Sequence, residues 1–147
     1  MKTTERSAEH ATFVIERVYG VKPDRVFAAW SDPEAKAEWF SKAEVFEFRV
    51  GGRESSRNTF PDGMKINFEA YYQEIVPGER IVYSYILDMN EARVSVSVVT
   101  VEFKTAENGT RLVFTEQGAF LDGHDTAAQR EHGTGIMLDT LGKCLSE

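Results

Sequence analysis

Glu116, late in a predicted strand over 110–117, and Arg17, on a predicted strand over 12–19, are the charged residues with most chemical potential if the fold brings them inside. In an apolar hollow they offer a polar anchor for a ligand hydroxyl or carbonyl. The same residues also make a plain structural ion pair, or Glu116 ends a solvated strand, which is the simpler reading. His124 and His132 stand eight positions apart beside Asp122, Asp125 and Glu131. Zinc sites on a helix put histidines four apart on one face, so capping and solvated roles are expected here and no metal is assigned. Cys144, the only cysteine, falls on an apolar helical stripe with Leu141 and Leu145, which predicts a buried inert thiol. Ser55-Ser56 lacks the Gly-x-Ser-x-Gly elbow of a nucleophilic serine. Gly51-Gly52 lacks the spacing and the Lys-Ser/Thr pair of a phosphate loop. No catalytic constellation and no cofactor site emerges.

The elements that must position these residues follow from period and punctuation. Residues 1–10 are polar and predict a flexible N-terminal arm, with a single domain over 11–147. After the strand at 12–19, Lys22-Pro23 opens a short helix carrying Val26, Phe27 and Trp30, and Asp32-Pro33 caps a second over 34–39. Strands are then predicted over 44–50, 53–60, 64–76, around Ile81, Tyr83 and Tyr85, over 93–104 and over 110–117. Their separators are Gly51-Gly52, Pro61-Asp62-Gly63, Pro77-Gly78, a turn at 88–91 and Asn108-Gly109. Short links make the sheet antiparallel, and strands this long must twist and coil. A long helix, capped by Asp125 and running to Leu145, closes the chain. Its expected apolar face holds Ile136, Met137, Leu138, Leu141, Cys144 and Leu145, with Arg130, Glu131 and Lys143 on the polar side. Gly133 and Gly135 within one turn suggest a kink or a close backbone approach.

Composition narrows the function classes. A chain of 147 residues is one domain by length and buries a core without disulfides or metal. The net charge of -7 and the lack of a basic stripe argue against nucleic-acid binding. No apolar run is long enough to span a bilayer, and the N-terminal residues lack the apolar core of a signal peptide, so no membrane insertion and a cytoplasmic location are expected. The acidic surface is compatible with a homodimer through an edge strand.

The order of elements and a set of motifs carry a family resemblance. The motifs are Arg17 with Tyr19 and Val21-Lys22-Pro23, Trp30-Ser31-Asp32-Pro33, Trp39-Phe40, Arg49-Val50-Gly51-Gly52-Arg53, and Glu74-Ile75-Val76-Pro77 with Glu79-Arg80-Ile81-Val82-Tyr83. Later come Thr115-Glu116-Gln117-Gly118-Ala119-Phe120 and Arg130-Glu131-His132-Gly133. Together they resemble the helix-grip proteins, the START-like, SRPBCC or birch-pollen-allergen-like superfamily, and more closely the bacterial family named after the activator of Hsp90 ATPase homologue. The resemblance implies an α+β helix-grip fold: a curved antiparallel sheet of about seven strands wrapped on a long C-terminal helix, with two short helices after the first strand. It also implies a hydrophobic cavity between sheet and helix, in members that bind or transform small apolar molecules. It does not imply chaperone activation.

The expected cavity wall draws on Phe48, Phe60, Phe68, Tyr83, Tyr85, Phe103, Phe114 and Met137, together with Trp39 and Leu141. Arg17 and Glu116, with Tyr83 or Tyr85, supply the polar contacts. Strand parity groups these residues without saying which face looks inward. Three functions remain open: binding of a small hydrophobic molecule, a polyketide cyclase or aromatase-like enzyme, and a co-chaperone-like interaction module. An apolar pocket with one polar anchor favours the first, a large pocket with perturbed ionisable groups the second, and no pocket the third.

Overall fold

The computed structural model describes residues 5–147. Seven strands form one antiparallel sheet: β1 (Ala8–Tyr19), β2 (Val45–Phe46), β3 (Arg53–Thr59), β4 (Lys65–Val76), β5 (Arg80–Met89), β6 (Ala92–Ala106) and β7 (Gly109–Leu121). Between β1 and β2 lie α1 (Pro23–Ser31) and α2 (Pro33–Lys36), and α3 (Ala127–Leu145) ends the chain. The spatial order is β1-β7-β6-β5-β4-β3-β2, so β1 crosses over to pair with the last strand while the other strands follow as hairpins. This is the helix-grip architecture, with α3 lying along the concave face and packing most closely on β1.

The concave face is fixed by alternation. Phe13, Ile15 and Tyr19 of β1, Phe68, Ala70 and Tyr72 of β4, Ile81, Tyr83 and Tyr85 of β5, Val99, Val101 and Phe103 of β6, and Leu112 and Phe114 of β7 are all buried. Trp30 of α1 packs edge-on against Trp39 and Phe103, and Phe27 packs edge-on against Phe48 and Phe103. Two irregularities bend the sheet. Gln73 of β4 is bulged out between Tyr72 and Glu74, and Val94 of β6 between Arg93 and Ser95. An unpaired residue in one strand raises the local twist.

Several boundaries differ from the sequence expectation. β1 opens at Ala8, inside the expected arm, because an edge strand pairing through its backbone with 119–121 needs no apolar side chains. Ser7 extends the ladder, its amide donating to Asp122, and Arg6 pairs with the same carboxylate. Residues 1–4 of that arm lie outside the described residues. β2 keeps two of the seven expected positions, since 47–52 fold into a tight turn in which the Arg49 amide donates to the Glu47 carbonyl and the Gly52 amide to the Arg49 carbonyl. The β5–β6 turn is Asn90-Glu91, both at positive φ, the geometry that matches the twist of a two-residue hairpin. Asp32 caps α2 as expected by accepting from the Glu34 amide. The helix itself stops at Lys36, leaving Trp39 in the turn beyond it.

α3 differs in its cap and in its rotation. Thr126, not Asp125, is the N-cap, its hydroxyl accepting from the Gln129 amide. Thr134, Gly135, Leu138, Leu141 and Leu145 are its buried residues, while Ile136 is 57% exposed and Met137 and Cys144 are half-buried. The small residues explain the rotation. A Cβ on Gly135 would stand 3.2 Å from the Arg17 guanidinium, and one on Gly142 3.2 Å from the Tyr19 ring. The helix presses its glycines onto β1, which turns Ile136 to solvent. Tyr19 fixes that approach by donating from its hydroxyl to the Leu138 carbonyl at 2.8 Å.

Candidate functional site

A pocket of about 160 Å³ lies between the sheet and α3. Ser56 of β3, Phe68 of β4, Tyr83 and Tyr85 of β5, Phe114 and Glu116 of β7, and Thr134 of α3 are its buried residues and form the floor. Half-buried Phe40, Ser41, Asn58, Ile66, Leu87 and Met137 ring the mouth, where the Asn58 amide donates to the Ser41 hydroxyl at 2.9 Å. A roomier groove of about 850 Å³ opens among the turns near Gly20, Gly78 and Asn108, but none of its residues is buried.

The polar end of the pocket is built on Glu116, which is 1% exposed. Its Oε2 accepts from the Tyr85 hydroxyl at 2.7 Å, the Ser97 hydroxyl at 2.8 Å and the Arg130 guanidinium at 3.3 Å. Oε1 is left without a hydrogen bond among the described residues. Arg130 reaches in from the first turn of α3, its side chain 10% exposed. It donates five hydrogen bonds: two to Asp125 Oδ2 (3.0 and 3.2 Å), and one each to the Tyr85 hydroxyl (2.7 Å), Ser95 (2.9 Å) and Glu116. The guanidinium also lies over the rings of Tyr85 and Phe120, an arrangement suited to its planar delocalised charge. Burial pushes the Tyr85 hydroxyl well above the ordinary tyrosine range, with Glu116 adding to the rise and Arg130 opposing it. Burial likewise raises Tyr83. Both phenols therefore stay protonated at physiological pH. In such a network each member locks the next, and loss of one leaves a charge uncompensated.

A second buried cluster adjoins the first. Lys36, at the end of α2, donates to Glu54 Oε1 at 2.7 Å, and the Tyr72 hydroxyl donates to the same oxygen. The ammonium is surrounded by the rings of Trp30, Phe40, Phe46 and Tyr83. Burial lowers the Lys36 pKa, with Glu54 opposing the fall. Phe40, Tyr83 and Ser56 border the pocket on this side. Unlike Glu116 Oε1, three polar side-chain atoms among the described residues are both unpartnered and closed off from any accessible surface: Trp30 Nε1, Glu54 Oε2 and Ser56 Oγ.

Of the residues singled out from sequence, Phe68, Tyr83, Tyr85, Phe114, Glu116 and Met137 border the pocket. Trp39, Phe103 and Leu141 are core, and Phe48 packs between Phe27 and Tyr72 in a different part of the interior. Phe60 sits at the end of the β3–β4 hairpin and is exposed. The expected Arg17–Glu116 pair does not form. Glu116 stands opposite Phe13, whereas Arg17 stands opposite Leu112. Four residues along a strand separate the two by roughly 13 Å. Arg17 turns instead to Asp139 of α3 at 2.7 Å, near the surface. Arg130, expected on the solvated face, takes its place. Cys144 is half-buried with its Sγ 3.8 Å from the Glu38 carbonyl oxygen, which identifies it as a packing residue. Among the described residues no group of three or more histidines, cysteines or carboxylates is arranged to hold a metal.

The family model described as Activator of Hsp90 ATPase homolog 1-like protein matches residues 20–146. The chain belongs to this family. Its domain is of the SRPBCC superfamily, a ligand-binding domain type. A protein from Rhizobium leguminosarum is 44% identical, with 97% of this chain and 99% of that one covered and a TM-score of 0.92. The Mll3558 protein from Rhizobium loti is 43% identical over 94% of this chain and 99% of its own, with a TM-score of 0.90. CV1439 from Chromobacterium violaceum is 26% identical over 92% and 97%, with a TM-score of 0.81. Among curated proteins none matches the sequence. No helix among the described residues is long and apolar enough to cross a membrane.

Proposed function

We propose that this Activator of Hsp90 ATPase homolog 1-like domain binds a small, mostly apolar molecule, about the size of one six-membered ring, whose hydroxyl or N–H group donates to Glu116. The observation carrying this is the free Oε1 of a fully buried carboxylate at the floor of an aromatic-lined pocket. A volume of about 160 Å³ is close to the roughly 150 Å³ of engineered apolar cavities that accept benzene. Phe68, Tyr83, Phe114 and Met137 supply apolar area, and the Glu116–Tyr85–Arg130 network supplies a rigid acceptor that rewards one orientation.

The test is titration of the protein with phenol and with toluene, followed by heteronuclear NMR or by the fluorescence of Trp30 and Trp39. Phenol is expected to bind more tightly than toluene, and Glu116→Gln to abolish the difference while keeping the fold. Native mass spectrometry of protein purified from its own host then identifies any natural guest. Absence of phenol and toluene binding up to millimolar concentration, or equal binding of the two, would overturn the assignment.

A further inference from the structure

Hydrogen bonding separates the two tyrosines of the pocket. The Tyr85 hydroxyl is already engaged: it donates to Glu116 Oε2 at 2.7 Å and accepts from Arg130 at 2.7 Å. The Tyr83 hydroxyl has no hydrogen-bond partner among the described residues, yet it is not among the atoms closed off from accessible surface. The residue is 7% exposed and borders the pocket, so the surface left to its hydroxyl is pocket surface. Thr134, buried on the helix wall of the same pocket, also carries an unpaired hydroxyl that is not closed off. It makes no bond back to the helix, whereas Thr140 donates to the Ile136 carbonyl at 3.1 Å.

Tyr83 and Glu116 belong to one row of the sheet. Tyr83 of β5 stands opposite Val99 of β6, and Val99 stands opposite Glu116 of β7. Two strand spacings put their Cα atoms roughly 10 Å apart, and both side chains are buried on the concave face. The Tyr83 ring lies 6.1 Å from the ring of Tyr85, whose hydroxyl holds Glu116. The two groups are thus neighbours at the pocket that do not bond to each other. Their chemistry is complementary. Glu116 Oε1 is an acceptor. Burial, with Tyr85 and Glu116 adding to the effect, keeps the Tyr83 phenol protonated far beyond neutral pH, so its hydroxyl has a proton to donate.

We infer that Tyr83 is the donor that complements the Glu116 acceptor, and that the guest is a single ring whose polar edge both donates and accepts, as in a cyclic amide. The inference deepens the proposed function and rests on the pocket being a binding site. A guest N–H or O–H serves Glu116 Oε1, and a guest carbonyl beside it serves the Tyr83 hydroxyl. A ring that only donates leaves the phenol proton unmet once water is excluded, and a site with an unmet buried polar group discriminates against such a ring.

Aniline and 2-pyridone test this. Both are single rings with an N–H donor, both are uncharged at neutral pH, and 2-pyridone adds a carbonyl on the neighbouring atom. Their affinities for water differ, so the readout is the change each shows between variants, with phenol as the reference guest. Tyr83→Phe is expected to weaken 2-pyridone about fivefold, the value of one hydrogen bond, and to leave aniline within about twofold of the wild type. It is also expected to melt at the wild-type temperature or higher, because it removes an unpaired hydroxyl. Thr134→Val is expected to weaken neither probe selectively. An equal effect of Tyr83→Phe on the two probes, or a selective loss of 2-pyridone in Thr134→Val instead, overturns the Tyr83 anchor and leaves the pocket assignment in place. A Tyr83→Phe protein that melts lower or fails to fold does the same, since the hydroxyl would then have a structural partner. So does a wild type that binds phenol but not 2-pyridone. Binding of none of the three by the wild type overturns the proposed function, and the inference with it.

Discussion

Replacing Arg130 by methionine keeps most of the side-chain volume and deletes the guanidinium. The structure then loses five hydrogen bonds from one buried group, and Glu116 and Asp125 lose the cation between them. Removing one partner of a buried ion pair costs about 3–5 kcal/mol, because the remaining charge stays desolvated. For a domain of this length, each kcal/mol lowers the melting temperature by about 2–4 °C. Arg130→Met is therefore expected to melt about 10 °C below the wild type or lower. Arg17→Met is the matched control. Its ion pair with Asp139 is near the surface, with side chains 32% and 60% exposed, and such pairs contribute about 0–1 kcal/mol. Arg130→Lys should fall between, since an ammonium keeps the charge but cannot span Asp125, Ser95, Tyr85 and Glu116 at once. The double variant Arg130→Met with Glu116→Gln should recover a substantial part of the loss, because it neutralises the stranded carboxylate. Urea unfolding of the four proteins and the wild type measures all of this in one series. If Arg130→Met were no more destabilised than Arg17→Met, the network would not hold the pocket floor in place.

Tyr19, Tyr72, Tyr83 and Tyr85 are held protonated well above the ordinary tyrosine range, chiefly by burial. A raised folded-state pKa contributes stability that is complete below about pH 10 and lost as pH rises further, at about 1.4 kcal/mol per pH unit for each phenol. Lys36 has the opposite sign. Its lowered pKa makes burial of the ammonium less unfavourable as pH approaches the free-lysine value, and contributes no slope beyond it. Above about pH 10.5 the slope is thus set by the tyrosines, about 5.5 kcal/mol per pH unit for the four. Absorbance at 295 nm should show their ionisation only together with unfolding by circular dichroism, and ionisation of more than one tyrosine in a still-folded protein, the exposed Tyr71 being the one allowed, would refute the burial argument. Gly133→Ala, where an added Cβ meets open space, should stabilise α3 by about 1 kcal/mol in thermal unfolding. Gly118→Ala should instead destabilise by about 1–3 kcal/mol. Its Cβ would stand 2.8 Å from Ser97 Oγ and 3.1 Å from the Phe120 ring, displacing a hydroxyl that holds Glu116. Equal effects of the two alanines would count against both.

The element order was legible because its signals are local. Proline at 23 and 33, glycines at 63 and 78 and the Asn108-Gly109 pair punctuate the chain whatever surrounds it. The site was legible only in part, since its construction is non-local and runs against hydrophobic alternation. In β6 the run Val94-Ser95-Val96-Ser97-Val98-Val99 looks like a strand burying Val96 and Val98. The bulge at Val94 and the packing of Val99 put Ser95 and Ser97 inside and leave Val96 and Val98 exposed. The serines are inside because Arg130 and Glu116 need their hydroxyls. Arg130 itself looks like any charged residue of a helical first turn until β5, β6 and β7 are folded around it.

One signal did lie in plain view. β3, Arg53-Glu54-Ser55-Ser56-Arg57-Asn58-Thr59, contains no apolar residue at all, so whichever face turns inward must bury polar groups. A strand of a sheet that closes over a core ordinarily presents alternate apolar side chains to it. That β3 presents Glu54, Ser56 and Asn58 instead means the interior beside it is polar by construction. Lys36 and Tyr72 satisfy one oxygen of Glu54, and Ser41 satisfies part of Asn58, yet Ser56 Oγ remains free. Burying that hydroxyl unmet costs free energy that an alanine at the same position would avoid with little loss of packing. The polar face of β3 is therefore a cost the fold carries beside the pocket, relieved at Glu54 and Asn58 and left standing at Ser56.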